Sequence, residues 1–212
     1  MVDDRFWQRL DDVRRERGFL TPAETMALVR HEVSVLDPFS VLVSRWARLG
    51  PDTVLYPGAT IECDERSRCE LGPGSVLYGG ARLVASGGGR IAVGRGALIG
   101  EGGARITAQG ADRIHVGDRT RVSNGAELTG SCRIGDGAQV LGPISVRDVE
   151  LAAGDAHTHP DPDRRGGVLK GYGRAHGLRV GRGEVLNGAG DFHAAPLERQ
   201  RAYHPDAPRL PH

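Results

Sequence analysis

Aromatic residues are scarce in this sequence: they make up 5% of its 212 residues, whereas there are 32 glycines. A globular core built from large side chains normally contains more phenylalanine, tyrosine and tryptophan. We therefore expect a core of stacked isoleucine, leucine, valine and alanine, with tight turns that need the conformational freedom of glycine. This composition favours a repeat protein over an ordinary globular domain.

Charge of one sign is also lacking. The 28 basic and 27 acidic residues give a net charge of +1, and no long block of either sign occurs. This balance excludes a broad nucleic-acid footprint and a basic membrane-surface patch, so we expect neither kind of partner. No apolar run approaches the roughly 20 residues that a membrane-spanning helix needs.

Cysteine is limited to Cys63, Cys69 and Cys132, and lysine to Lys170. An odd and sparse set of cysteines does not suggest a disulfide framework. The acidic residues 1–4 lack the basic and apolar regions of a secretory leader. These features predict a cytoplasmic protein with reduced thiols.

The first 37 residues have the pattern of helices. Phe6, Leu10 and Val13 lie on one face of a predicted helix over residues 3–17. Thr21 and Glu24 have the spacing of a capping box, which predicts a second helix that continues to about Leu36. We therefore expect residues 1–37 to form a helical segment.

Residues 38–155 show a six-residue repeat. An aliphatic residue recurs at this spacing, and a small residue follows it four places later, in the pairs Leu49/Thr53, Leu55/Ala59, Leu71/Ser75, Leu77/Ala81, Val93/Ala97, Val116/Thr120, Val122/Ala126, Leu128/Cys132 and Ile134/Ala138. Each hexad predicts one short strand and one turn, and three hexads close a triangular coil with the aliphatic side chains inside. Such coils are stable only when stacked. A right-handed β-helix has coils of about this length too, but the strict hexads favour the left-handed form. We therefore predict a mainly β fold, a left-handed parallel β-helix.

Two further segments modify this repeat. Extra residues enter at the same point of three successive coils, at 63–68, 85–90 and 108–113, which predicts loops stacked at one corner. Residues 156–212 break the pattern with prolines, histidines and glycine-rich turns. We expect this part to be a loop-rich, irregular C-terminal extension.

Several stretches carry a family resemblance. Leu-Asp-Pro at 36–38, Leu-Gly-Pro-Asp-Thr-Val at 49–54 and Leu-Tyr-Pro-Gly-Ala-Thr at 55–60 resemble the opening of the acetyltransferase half of bifunctional N-acetylglucosamine-1-phosphate uridyltransferase/glucosamine-1-phosphate acetyltransferases. Gly-Arg-Ile-Ala-Val-Gly at 89–94 is similar to a phrase common in hexapeptide-repeat acyltransferases. The resemblance implies a homotrimer, an acyl-CoA donor such as acetyl-CoA, and active sites between neighbouring prisms where a histidine acts as general base.

Three histidines are candidates for that base. If Ile114 and Val116 point inward, His115 points outward. The repeat then places it in one outward column with Glu70, Ala92, Arg133 and Glu150, in which Arg133 is its neighbour. His157 and His159 lie among aspartates where the repeat ends, and loops on a rigid scaffold are favoured places for chemistry. The predicted catalytic residues are His115, His157, His159 and Arg133.

A glycine-rich basic run follows at residues 164–174. Backbone amides and cations of this kind suit phosphate groups. Arg164, Arg165, Lys170 and Arg174 are therefore predicted to bind the nucleotide end of acyl-CoA, and no metal is expected.

Three functions remain open from the sequence. The first is a CoA-dependent acyltransferase that acts on a small amine or amino-sugar acceptor. The second is a non-catalytic β-helix for assembly, since the Asn-His-Leu-Ser-Tyr stretch of the acetyltransferases is absent. The third is a γ-type carbonic anhydrase, whose zinc needs three histidines on neighbouring coils, whereas the repeats contain only His115.

Overall fold

The computed structural model describes residues 4–209 of the chain. Parallel strands stack into a β-solenoid with three faces, which confirms the predicted parallel β-helix. Two of its faces belong to one continuous 15-stranded sheet, and the third is a separate 7-stranded sheet. No helix among the described residues is long and apolar enough to cross a membrane.

Each face is a column of strands, one from each successive coil. Face 1 contains Ser34–Val35, Val54–Leu55, Val76–Leu77, Leu98–Ile99, Arg121–Ser123 and Gln139–Leu141. Face 2 contains Leu42–Val43, Thr60–Cys63, Ala81–Ser86, Ala104–Gln109, Ala126–Thr129 and Ile144–Arg147. Face 3 contains Arg48–Leu49, Arg68–Leu71, Arg90–Val93, Arg113–Val116, Cys132–Ile134, Glu150–Leu151 and Arg179–Val180.

The hexad residues fill the prism as predicted. The aliphatic positions from Leu55 to Ile134 are buried, and Leu49 at the first coil is half-buried. The small residues occupy the corners, where a hydroxyl also satisfies the turn. Thr120 Oγ1, for example, donates to the carbonyl of Gly117 at 2.9 Å. The core is therefore made of stacked aliphatic side chains, and burial of their apolar surface stabilises the stack.

The extra residues of three coils lie at the corner between faces 2 and 3. They mostly lengthen the strands of face 2, so that Ala81–Ser86 and Ala104–Gln109 are six residues long. The remaining turns stack through hydrogen bonds between coils: the amide of Gly87 donates to Asp64 Oδ2 at 2.6 Å. These insertions are thus part of the solenoid wall.

The chain beyond residue 155 is more regular than its sequence predicts. After an irregular loop, the strand Val168–His176 turns the corner from face 1 to face 2, and Glu184–Asp191 pairs with it in parallel along most of its length. Leu169 and Leu186 stack on Val140 in the core. Aliphatic side chains at the correct register continue the stack, although glycines obscure the hexads around them. The short strand Leu197–Arg199 then runs antiparallel to Glu184–Asp191.

The helical preface is shorter than predicted. The first helix, Asp4–Glu16, agrees with its prediction. The second α-helix covers only Pro22–Met26 and continues as the 3₁₀ helix Ala27–His31. Its capping box is present, with the amide of Glu24 donating to Thr21 Oγ1 at 3.1 Å. The helix ends early because Glu32 adopts a left-handed conformation (φ 59°) and Val33 enters the core, after which the first strand of face 1 begins.

Candidate functional site

A cavity of about 410 Å³ lies on the outside of face 1, near the C-terminal end of the solenoid. A volume of this size suits a small-molecule ligand. Its wall is formed by face 1, by the loop that follows the strand Glu150–Leu151 and by a returning C-terminal segment. The lining residues are Gln139, Leu141, Val168, Lys170 and Val185 from the strands, with His157, Arg165, Gln200, Tyr203 and His204 from the loop and segment.

The floor of the cavity is the outer surface of three consecutive coils. Gln139, Val168 and Val185 are register partners on adjacent strands, and Leu141 is the partner of Lys170. These side chains point outward because side chains alternate along a strand and Val140 and Leu169 between them point inward. The floor is therefore apolar, with one amide and one ammonium group.

The returning segment forms the other side. Its 3₁₀ helix, Gln200–Tyr203, is attached by the buried side chain of Gln200, whose Nε2 donates to the carbonyls of Gly166 at 2.7 Å and Glu184 at 3.2 Å. Tyr203 donates to Glu198 Oε2 at 2.5 Å, and its ring lies beside the Lys170 ammonium. The segment thereby closes a surface that face 1 would otherwise expose.

His157 places an imidazole on the wall of this cavity. Its Nδ1 is buried and has no hydrogen-bond partner among the described residues. Burial lowers the pKa of His157 below its ordinary value, and the positive charges of Arg121 and Arg165 lower it further. The ring is therefore neutral near pH 7, and a neutral imidazole has one nitrogen lone pair that can accept a proton.

Two predicted cations line the same cavity. Arg165 donates through Nε to the carbonyl of His159 at 2.7 Å and lies 3.3 Å from His204 Nε2. The Lys170 ammonium lies 5.6 Å from the centroid of the Tyr203 ring. The structure thus brings together His157, Arg165 and Lys170, three of the eight residues that the sequence predicts for the site.

His159 and Arg164 lie beside the cavity and have structural partners. His159 Nδ1 accepts from the amide of Asp161 at 3.2 Å, and its Nε2 is 3.7 Å from Asp155 Oδ2. Arg164 Nε is 3.0 Å from that same carboxylate oxygen. Both side chains therefore stabilise the loop that carries His157, and neither lines the cavity.

Arg174 lies elsewhere. It is exposed on face 2, between its register partners Ser145 and Asp191. The strand turns the corner at Gly171–Gly173, so the three residues between Lys170 and Arg174 carry these two cations to different faces. Spacing along the basic run could not reveal this corner.

The predicted outward column on face 3 is present. Its register runs through Arg48, Glu70, Ala92, His115, Arg133, Glu150 and Arg179. His115 and Arg133 are exposed neighbours. Arg133 lines a polar depression of about 280 Å³ with Glu150 and Arg179, but no histidine belongs to it. The column therefore does not combine His115 with a cavity.

Gln139, Gln200, Tyr203 and His204 are site residues that sequence reasoning missed. No local motif marks them, because the contact between the returning segment and face 1 is made only in the folded chain. For metal chemistry, residues 4–209 contain no group of three or more histidine, cysteine, aspartate or glutamate side chains placed to hold an ion.

Comparisons with known proteins add no assignment. No model of a known protein family matches this chain, and a search of curated proteins finds no match to it.

Proposed function

We propose that this protein is an acyltransferase that moves an acyl group from a CoA thioester to the hydroxyl or amine of a small acceptor in the face 1 cavity. The observation that carries the proposal is the imidazole of His157, which lines a cavity of suitable size and has a buried nitrogen without a partner. Buried polar atoms in native proteins nearly always have partners, and a catalytic role is one of the recognised reasons for an exception.

His157 is the proposed general base. Its lowered pKa keeps the ring unprotonated at neutral pH, which a base requires. The acceptor's oxygen or nitrogen attacks the thioester carbonyl while its proton passes to the imidazole. A new C–O or C–N bond forms, the C–S bond breaks, and CoA leaves as a thiolate that takes up the proton.

The donor and the assembly come from the resemblance to hexapeptide-repeat acyltransferases. It supports acetyl-CoA as the first donor to try, bound between neighbouring prisms of a homotrimer. The cavity is small, so it holds the acceptor and the reacting end of the thioester, while the nucleotide lies outside it. Arg165 and Lys170, which line the cavity, are the predicted donor-binding cations nearest to the reacting end.

The test separates donor binding from chemistry. Calorimetric titration with acetyl-CoA and CoA, with oligomer mass measured alongside, is followed by thiol-release assays against a panel of small amines and alcohols. We expect His157→Asn to bind acetyl-CoA normally but to lose about 10²- to 10⁴-fold in transfer rate, the usual contribution of a general base. The matched control is His115→Asn, which removes the exposed histidine of face 3 and leaves the rate unchanged.

Two results would overturn the proposal. An unchanged transfer rate in His157→Asn would show that His157 is not the general base. Failure of the folded protein to bind acetyl-CoA or CoA would favour a non-catalytic scaffold.

A further inference from the structure

Two cations, Arg165 and Lys170, line the cavity wall. Neither Arg165 nor Lys170 forms an ion pair with a carboxylate in the part of the chain that the structure describes. Asp161 acts on Arg165 electrostatically, but its Oδ1 is bound by Arg201 at 2.5 Å. The contact of Lys170 with Tyr203 is a cation–π contact, which attracts the ammonium without neutralising it.

The other lining groups do not offset these charges. No aspartate or glutamate lines the cavity, and Glu198, which approaches it through Tyr203, is bound to that hydroxyl. The remaining polar groups are the amides of Gln139 and Gln200 and the His204 ring. A cationic ligand would be repelled here, whereas a carboxylate or phosphate would gain charge-assisted hydrogen bonds.

A second observation concerns hydrogen bonding. The two buried side-chain polar atoms without partners among the described residues are His157 Nδ1 and Ser123 Oγ. His157 lines the cavity, and Ser123 is the register partner of Leu141, which lines it too. Both unsatisfied atoms thus lie at the end of face 1 where Arg165 and Lys170 line the cavity.

We infer that the acceptor is a small anion, in which a carboxylate or phosphate bound by Arg165 and Lys170 is separated by a short bridge from the hydroxyl or amine that faces His157. The bridge packs on the apolar floor of Val168 and Val185. This inference rests on the proposed function only in calling the bound anion an acyl acceptor. The anion site itself is a property of the cavity and is testable without any acyl donor.

The experiment uses matched pairs of probes that differ by the anionic group alone. Lactate is compared with ethanol, and glycerol 3-phosphate with glycerol, by calorimetric titration of the full chain without donor. Histidine ¹⁵N NMR follows the His157 ring during the same titrations. We expect at least one anionic probe to bind tenfold or more tightly than its neutral partner and to shift the His157 nitrogen resonances; the carboxylate and phosphate arms identify which anion is preferred.

Variants assign that preference to the two cations. Lys170→Gln and Arg165→Gln should each reduce the advantage of the anionic probe about tenfold, and Lys170→Arg should restore most of it because the charge is kept. Arg174→Gln is the matched control, since it removes an exposed arginine of the same strand on another face. Thermal unfolding verifies that each variant is folded.

Equal affinities within both pairs, no binding of any probe, or an equal loss in Arg174→Gln would each overturn the inference. Its failure is distinguishable from that of the proposed function. If anions bind but no acyl group is transferred, the anion site is supported and the acyltransferase proposal fails. If acyl groups are transferred to amines without an anionic group, at a rate that Lys170→Gln leaves unchanged, the acyltransferase proposal is supported and the anion site fails.

Discussion

Arg201 and Asp163 are 38 residues apart in the chain, yet Nε of Arg201 donates to Oδ2 of Asp163 at 2.5 Å. The same guanidinium donates to Oδ1 of Asp161 at 2.5 Å, and Arg201 lowers the pKa of Asp163. Asp161 and Asp163 follow His157 on its loop, whereas Arg201 precedes Tyr203 on the returning segment. These ion pairs therefore connect the two parts of the cavity wall that face 1 does not supply.

Replacement of Arg201 by methionine tests this connection. The variant removes the short charge-assisted hydrogen bond that Arg201 donates to the buried carboxylate of Asp161, so we expect a loss of about 1.5–3 kcal/mol in the free energy of unfolding. Urea unfolding at pH 7 measures it. Arg199→Met is the control: its side chain is half exposed, and an exposed ion pair contributes at most about 1 kcal/mol. Equal losses in the two variants would show that the Arg201 pairs have no special role.

His157 predicts a pH dependence of stability. Its pKa is lowered in the folded state, so below the unfolded value of about 6.5 the unfolded chain binds more protons than the folded chain. Stability from the neutral ring is present above that pH and is lost as the pH falls through the folded pKa. Between pH 7 and 5, the wild type should therefore lose more unfolding free energy than His157→Gln, as measured by urea unfolding. Parallel curves would contradict this prediction.

The sequence was sufficient for the solenoid because its cause is local. Each aliphatic hexad residue fills the prism by itself, so spacing alone predicted the coils and even the outward column of His115 and Arg133. The second helix was overextended because its early end depends on Val33 entering the core, which is a tertiary effect. Sequence patterns thus predict the features that are determined within one coil, such as its strands, its corners and its outward side chains.

The cavity could be predicted only in part. His157, Arg165 and Lys170 were among the candidate residues because their types and loop positions suggest chemistry. Their meeting place depends on the return of Tyr203 to face 1 and on the corner that separates Lys170 from Arg174. These contacts join distant parts of the chain, and no spacing in the sequence encodes them.

The three cysteines predict a chemical test of the coil stack. Cys63, Cys69 and Cys132 are free and buried, and burial raises the pKa of each thiol. The reactive thiolate is therefore both rare and inaccessible at pH 8. We expect no labelling by iodoacetamide in the native protein and labelling at all three positions in urea, as read by mass spectrometry. Rapid native labelling of Cys69, which is fully buried, would mean that the coils open locally.

A glycine stack at the corner between faces 1 and 2 gives the last prediction. Gly171 has φ +115°, and a Cβ built there would lie 2.0 Å from the carbonyl oxygen of Gly188 on the next coil. Gly74 also has a positive φ (+68°), but its Cβ would meet no atom within 4 Å. Gly74→Ala should therefore cost only the left-handed conformation, about 1–2 kcal/mol. Gly171→Ala should lower the free energy of unfolding by about 1–3 kcal/mol more, because adjacent coils must move apart.

Chemical unfolding of both variants measures the difference. Gly171 lies next to Lys170, so separation of the coils there also displaces the cavity floor, and Gly171→Ala should weaken binding of the anionic probes as well. Gly74→Ala lies several coils away and should leave their binding unchanged. Equal stability losses in the two variants would show that the corner relaxes around a methyl group. The close stacking of coils at Gly171 would then not determine the position of Lys170.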